Sequence, residues 1–142
     1  MKVKEIMTKN VIGIGPEESV EVAARTLNRY NIGVLPVCRA DGKLCGVVTD
    51  RDLVIRCLAA GMEPAKTRVR QVMTGQVTSV EGEVDVSVAA HLMGRQQVRR
   101  LPVTENGRLC GMVSLGDMAV WEDTAMDAAD ALGDIARNVS AR

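Results

Sequence analysis

Apolar positions along the chain follow two rhythms, a helical i, i+3, i+4, i+7 spacing and short β-branched runs, and the order of the rhythms occurs twice. Val3-Lys4-Glu5-Ile6-Met7-Thr8 reads as a turn of helix with Val3, Ile6 and Met7 on one side, followed by the extended run Val11 to Ile14. Pro16 to Ser19 places acidic residues at a helix start, and Val20, Ala23, Ala24 and Leu27 then keep one apolar face until about Asn28 to Asn31. Ile32 to Cys38 is a strand in which Pro36 implies an edge or an interrupted ladder. Asp41-Gly42 turns the chain into a partner strand, Leu44 to Thr49. A second helix should pack through Leu53, Val54, Cys57 and Leu58 and stop at Gly61.

From Val69 the order starts again. Val69 to Thr74 echoes Val3 to Thr8, the stripe Val86, Ala89, Ala90, Met93 echoes Val20, Ala23, Ala24, Leu27, and Leu101-Pro102-Val103 echoes Leu35-Pro36-Val37. Asn106-Gly107 replaces Asp41-Gly42, and Leu109 to Ser114 replaces Leu44 to Thr49, at an offset that changes by one residue in the hairpin. The pattern is an internal duplication. It gives an α/β (α+β) chain with repeat 1 at 1–62, a linker at 63–68, repeat 2 at 69–120 and a C-terminal helical extension at 121–142. In the extension, Ala125, Ala128, Ala129, Leu132, Ile135 and Ala136 share one face, suited to capping the core and to self-association.

Composition narrows the chemistry. With 18 basic and 18 acidic residues, one Trp, one Tyr and no Phe, the chain has neither the basic footprint nor the stacking platforms of a nucleic-acid binder. No apolar run approaches the roughly 18 residues that span a bilayer, and the first residues carry no signal-peptide pattern, so cytoplasmic residence is expected. Cys38, Cys45, Cys57 and Cys110 form no C-x-x-C pair and read as reduced core thiols; His91 has no second ligand at metal spacing, and no metal site is expected. No nucleophile-base or paired-carboxylate arrangement is present, so no catalytic residue is assigned and the chain is read as a non-enzyme.

The two strand-to-helix junctions carry the candidate chemistry. In Gly46-Val47-Val48-Thr49-Asp50-Arg51-Asp52 and Gly111-Met112-Val113-Ser114-Leu115-Gly116-Asp117, a hydroxyl residue is followed three positions later by Asp. Such a pair can hold phosphate and ribose at a helix start, or it can be a capping box that satisfies the helix end.

In this order, and twice over, the Met-Thr openings (Met7-Thr8, Met73-Thr74), the Leu-Pro-Val strands, the Asp-Gly or Asn-Gly hairpins and the Gly-x-Val-[Thr/Ser]-x-x-Asp endings resemble a pair of cystathionine β-synthase (CBS) domains, the unit called a Bateman module. The resemblance implies two β-α-β-β-α repeats related by a pseudo-twofold axis, with two clefts between them for adenosine-containing ligands such as AMP, ADP, ATP or S-adenosylmethionine. It implies that Thr8, Val11, Gly33, Val34, Leu35, Pro36, Thr49, Arg51 and Asp52 form one cleft, and Thr74, Val77, Arg99, Arg100, Leu101, Pro102, Ser114 and Asp117 the other. The first ranks higher, because Arg51 can neutralise a phosphate where the second motif has Leu115 and Gly116. Arg99 and Arg100, which replace Gly33 and Val34, can pair with phosphates, although on a strand one of two neighbours faces away. The expected function is a ligand-sensing regulatory module, a homodimer acting on a separate protein. The alternative is a structural, dimerising protein with vestigial clefts.

Overall fold

The computed structural model describes residues 1–140, with side chains to Arg137. Its contacts form two compact units that do not coincide with the sequence repeats. One joins Ile12–Val77 to Gly107–Leu109; the other joins Met1–Val11 to Thr78–Asn106 and the chain from Cys110 onward. The opening segment of each repeat thus belongs to the unit of the other.

In the first-repeat unit, Ser19 ends the preceding loop by accepting the Val22 N–H on its Oγ at 3.1 Å, which starts α2 (Val20–Tyr30). The helix buries Val20, Ala23 and Leu27 and closes on Asn31 at φ 52, the left-handed cap that Asn tolerates. Ala24, expected on the apolar face, is exposed. Strands β1 (Val34–Cys38) and β2 (Leu44–Thr49) pair antiparallel from Val34↔Thr49 to Val37↔Gly46, with an irregularity at Val37/Cys38. On the other side of β1 the run Val11 to Ile14 contributes one bridge, in which the Ile14 N–H donates to Pro36 O at 3.0 Å and the Cys38 N–H to Ile14 O at 2.9 Å. This is the interrupted ladder that Pro36, with no N–H, allows.

After β2, the short α3 (Asp50–Asp52) runs into a π-helical stretch, Leu53–Leu58. The Ala59 N–H donates to Val54 O and the Met62 N–H to Cys57 O, and this wider turn keeps one row inside, Leu53 and Cys57. Val54 and Leu58, expected in the core, are turned to solvent at 52% and 67% exposure. A further helix, α4 (Val69–Val72), buries both its valines in the core with Leu35, Val37 and Val48.

In the second-repeat unit, α1 (Val3–Ile6) is fixed by the Val3 N–H to Val84 O and the Lys4 N–H to Gly82 O, each 2.9 Å. Strand β3 (Val80–Glu81) runs parallel to β4 (Arg100–Glu105), which turns through Asn106 and Gly107, both at positive φ (53 and 80), into β5 (Arg108–Ser114), a strand that rejoins this unit at Cys110. Two positive φ values are what a type I′ hairpin requires. Helix α5 (Val86–Gln96) starts at Asp85, and α6 (Leu115–Ala119) follows β5. Thr124 Oγ1 then donates to Met118 O at 2.6 Å, holding the corner from which α7 (Ala125–Ser140) departs.

Helix α7 packs on α5 and α6 through Ala128, Ala131 and Ile135. The buried row is rotated from the expected face, so Ala129, Leu132 and Ala136 are exposed. The physical reason is Gly94 on α5. A Cβ there would stand 3.0 Å from Asp134 Oδ2 and 3.5 Å from Ala131 Cα, so the helices meet backbone to backbone at Ala131 rather than at Leu132. No helix among the described residues is long and apolar enough to cross a membrane.

Candidate functional site

Both Thr/Ser-x-x-Asp pairs form reciprocal capping boxes. The Asp52 N–H donates to Thr49 Oγ1 at 3.1 Å and the Thr49 N–H to Asp52 Oδ2 at 3.0 Å; the Asp117 N–H donates to Ser114 Oγ at 3.1 Å and the Ser114 N–H to Asp117 Oδ2 at 2.8 Å. Capping does not use these groups up. Each hydroxyl accepts and keeps its own hydrogen for donation, and each carboxylate keeps a second oxygen. Here the copies differ, because Asp52 Oδ1 lies 3.7 Å from Arg56 Nε whereas Asp117 Oδ1 has no protein partner among the described residues.

The Met-Thr openings lie across the sheet from the opposite motif. Thr8 and Met112 exchange N–H···O bonds of 2.8 and 3.0 Å, and Thr74 and Val47 exchange bonds of 2.9 and 3.0 Å. The approach is close enough to require glycine. A Cβ on Gly46 would fall 2.7 Å from Thr74 O, and one on Gly111 would fall 2.5 Å from Met7 Sδ and 2.9 Å from Thr8 O. The residue grouping expected from the sequence is therefore corrected: Thr8 and Val11 share a unit with Ser114 and Asp117, and Thr74 and Val77 share one with Thr49 and Asp52. The backbone groups of Val11 and Val77 make no hydrogen bond among the described residues, and neither residue lines the cavity described below.

Four other expected site residues are withdrawn from solvent. Leu35 and Leu101 are core side chains at 0% and 1% exposure, and Pro36 and Pro102 are buried beside them. Gly33 and Val34 are half-buried, and the Gly33 carbonyl accepts the Asp50 N–H at 3.1 Å; Arg51 is exposed, its N–H donating to Asp50 Oδ1 at 2.8 Å and its guanidinium without a partner among the described residues.

A cavity of about 510 Å³ opens against the second motif. Its polar lining is Arg99, Arg100 and Ser114; Leu115, Gly116 and Ala119 of α6 and Ala125, Ala128, Ala129 and Leu132 of α7 complete it. Arg99, just before β4, and Arg100, its first residue, both line it, and the Arg99 carbonyl accepts the Leu115 N–H at 3.0 Å. Neither guanidinium has an ion pair or hydrogen bond among the described residues. The α7 residues were outside the expected site, although the small residues of that amphipathic stripe were its one visible sign.

The remaining reactive side chains point elsewhere. All four cysteines are free, and burial pushes the thiols of Cys38, Cys45 and Cys110 up, away from the reactive thiolate. Among the described residues no three His, Cys, Asp or Glu side chains cluster in a metal-holding group.

Comparisons with known proteins agree with this architecture. The CBS domain model matches residues 3–58 and 69–124. The protein YlbB of Bacillus subtilis is 40% identical over 94% of this chain and 90% of its own length. Hypoxic response protein 1 of Mycobacterium tuberculosis is 34% identical over 82% of this chain and 81% of its own. A crystal structure of Hypoxic Response Protein I with two coordinated zinc ions superposes with a TM-score of 0.78, at 34% identity, over 84% of this chain and 97% of that one. The CBS domain pair of MJ0100, solved with 5′-methylthioadenosine and S-adenosyl-L-methionine, superposes with a TM-score of 0.74, at 28% identity, over 84% of this chain and 93% of that one. With two CBS matches along one chain, a mixed α/β fold and CBS-pair structural neighbours, this protein belongs to the CBS domain family as a tandem pair.

Proposed function

We propose that this chain is a regulatory module that binds an adenosine-containing ligand at the second motif and acts on a separate protein. The observation that carries the reading is the cavity of about 510 Å³ beside Ser114, lined by two arginines whose guanidiniums have no partner among the described residues. Arginine suits phosphate through its planar fork of donors, and Asp117, outside the cavity lining but bonded to Ser114 on it, has a spare oxygen that suits a ribose hydroxyl. The adenosyl ligands of the MJ0100 pair support the ligand class. This ranks the second motif above the first, the reverse of the order that Arg51 suggested. A ligand regulates only through unequal affinity for two arrangements of the module, so the partner must read one arrangement better than the other.

Titration calorimetry with AMP, ADP, ATP, S-adenosylmethionine and 5′-methylthioadenosine tests it. At least one should bind, and Asp117→Ala should weaken that binding more than Asp52→Ala. Absence of heat and of thermal stabilisation with all five overturns the reading.

A structural role is the second reading, favoured by Val54, Ile55 and Leu58, which form an exposed apolar row on one turn of the first-repeat unit. Under it the chain would associate with itself regardless of nucleotide, which sedimentation with and without AMP resolves.

A further inference from the structure

We infer that α7 forms a wall of the ligand site at the second motif, with Ala129 touching the apolar part of an anionic nucleoside ligand whose charged end lies at Arg99 and Arg100. The inference rests on the ligand-binding reading above and adds an element that lies outside both duplicated repeats.

The cavity has two chemically distinct sides. Arg99, Arg100 and Ser114 supply every polar side chain, whereas the α7 side offers only alanine and leucine. The acidic residues of α7, Asp127, Asp130 and Asp134, are not in the lining, so the helix presents no charge against an anion. Such a division fits a molecule with one charged end and one flat apolar end.

Packing explains why α7 can serve as a wall without being displaced. Its docking row, Ala128, Ala131 and Ile135, is buried against α5, where Gly94 permits the close approach, and Thr124 pins the corner before it. Ala129 and Leu132 stand beside that row and remain exposed while lining the cavity. Side chains this small at 125, 128 and 129 leave the space open; a larger one at 129 would occupy it without entering the α5 seam. Because the ligand then touches both a repeat and α7, occupancy and helix docking are linked, and each strengthens the other by the same factor.

The test is calorimetry on the full chain with AMP, charged, and 5′-methylthioadenosine, uncharged, as probes. Ala129→Leu should lower the affinity of both at least tenfold, with an unchanged circular dichroism spectrum and melting temperature. Ala136→Leu places the same side chain on an exposed position of α7 outside the cavity lining and should leave both affinities unchanged. The double variant Arg99→Gln/Arg100→Gln should weaken AMP at least tenfold and 5′-methylthioadenosine less than twofold. Binding to Ala129→Leu at the native affinity, or equal losses in the two leucine variants, overturns the wall while leaving the ligand reading in place. Equal weakening of both probes in the arginine double variant overturns the placement of the charged end. Failure of the native chain to bind either probe overturns the inference, and failure of all five adenosyl compounds overturns the ligand reading too.

Discussion

The two repeats share a duplicated sequence and carry the same capping box, yet they finish differently. In the first, the helix after the motif loosens into a π-helical stretch, and Val54, Ile55 and Leu58 are left exposed. In the second, α6 is a short regular helix whose Met118 is fully buried, and α7 covers it together with α5. The residues at the start of the strand beside each motif differ in parallel, Gly33-Val34 against Arg99-Arg100. Duplication fixes the scaffold. The apolar faces and the charges placed on it differ between the copies: a cavity lined by Arg99, Arg100 and Ser114 lies against one motif, and an exposed apolar row follows the other.

The glycine contacts are where the copies should behave most alike and where the largest effects are expected. Gly46→Val and Gly111→Val each force a side chain into the opposing Met-Thr segment, and each should cost about 3 kcal/mol or more, measured by urea unfolding. Gly46 should be the worse of the two, because its nearest obstacle is the Thr74 carbonyl at 2.7 Å, whereas at Gly111 it is the flexible end of Met7. Equal tolerance of valine at both would show that the openings do not dock as described.

Those same contacts show what the sequence could reveal. The duplication, the hairpins, α2, α5 and both Thr/Ser-x-x-Asp junctions were legible because each depends on residues close in sequence. That Met7-Thr8 serves Gly111 and Met73-Thr74 serves Gly46 was not, because two equivalent segments and two equivalent partners offer both pairings to a reader of one chain. The register of α7 was hidden for a related reason: Ala128 and Ala129 are equally apolar, and only the space beside Gly94 selects the row that is buried. Arg99 and Arg100 were visible as candidates, but their shared cavity depends on a helix with no counterpart in the first repeat.

The unequal covering of the halves gives the next effect. Ile135→Ala removes a buried side chain from the α7 seam and should destabilise by about 2–4 kcal/mol. Leu58→Ala, at 67% exposure in the other unit, should change stability by no more than about 0.5 kcal/mol in dilute solution. A larger, concentration-dependent loss at Leu58 would sharpen the contrast by showing that this row is buried in an assembly.

Smaller still are the capping boxes. Thr49→Ala and Ser114→Ala each remove the acceptor for an Asp N–H and should cost about 1 kcal/mol apiece in thermal or urea unfolding. Matching values would confirm that capping is common to the copies, so that a difference in ligand affinity between the same two variants reports binding rather than folding.

The smallest contrast concerns how the first long helix of each repeat begins. Ser19 caps α2 with a hydroxyl that does not titrate, whereas Asp85 caps α5 with a carboxylate that accepts both the N–H and the hydroxyl of Ser87 at 3.0 Å. The Ser87 N–H above all, then its hydroxyl, holds the Asp85 carboxyl below its ordinary value of 3.8. A pKa lower in the folded than in the unfolded chain contributes stability that is present above the unfolded value and disappears as the pH falls through the folded one. The cap on α5 should therefore weaken below about pH 4 while that on α2 does not. Asp85→Asn keeps a capping acceptor and removes the titration, so it should leave stability near pH 7 almost unchanged and flatten the acid limb of the unfolding curve. Ser19→Asp should do the converse and steepen it. If Asp85→Asn leaves the acid limb as steep as before, the carboxylate cap is not what distinguishes the two helices in acid.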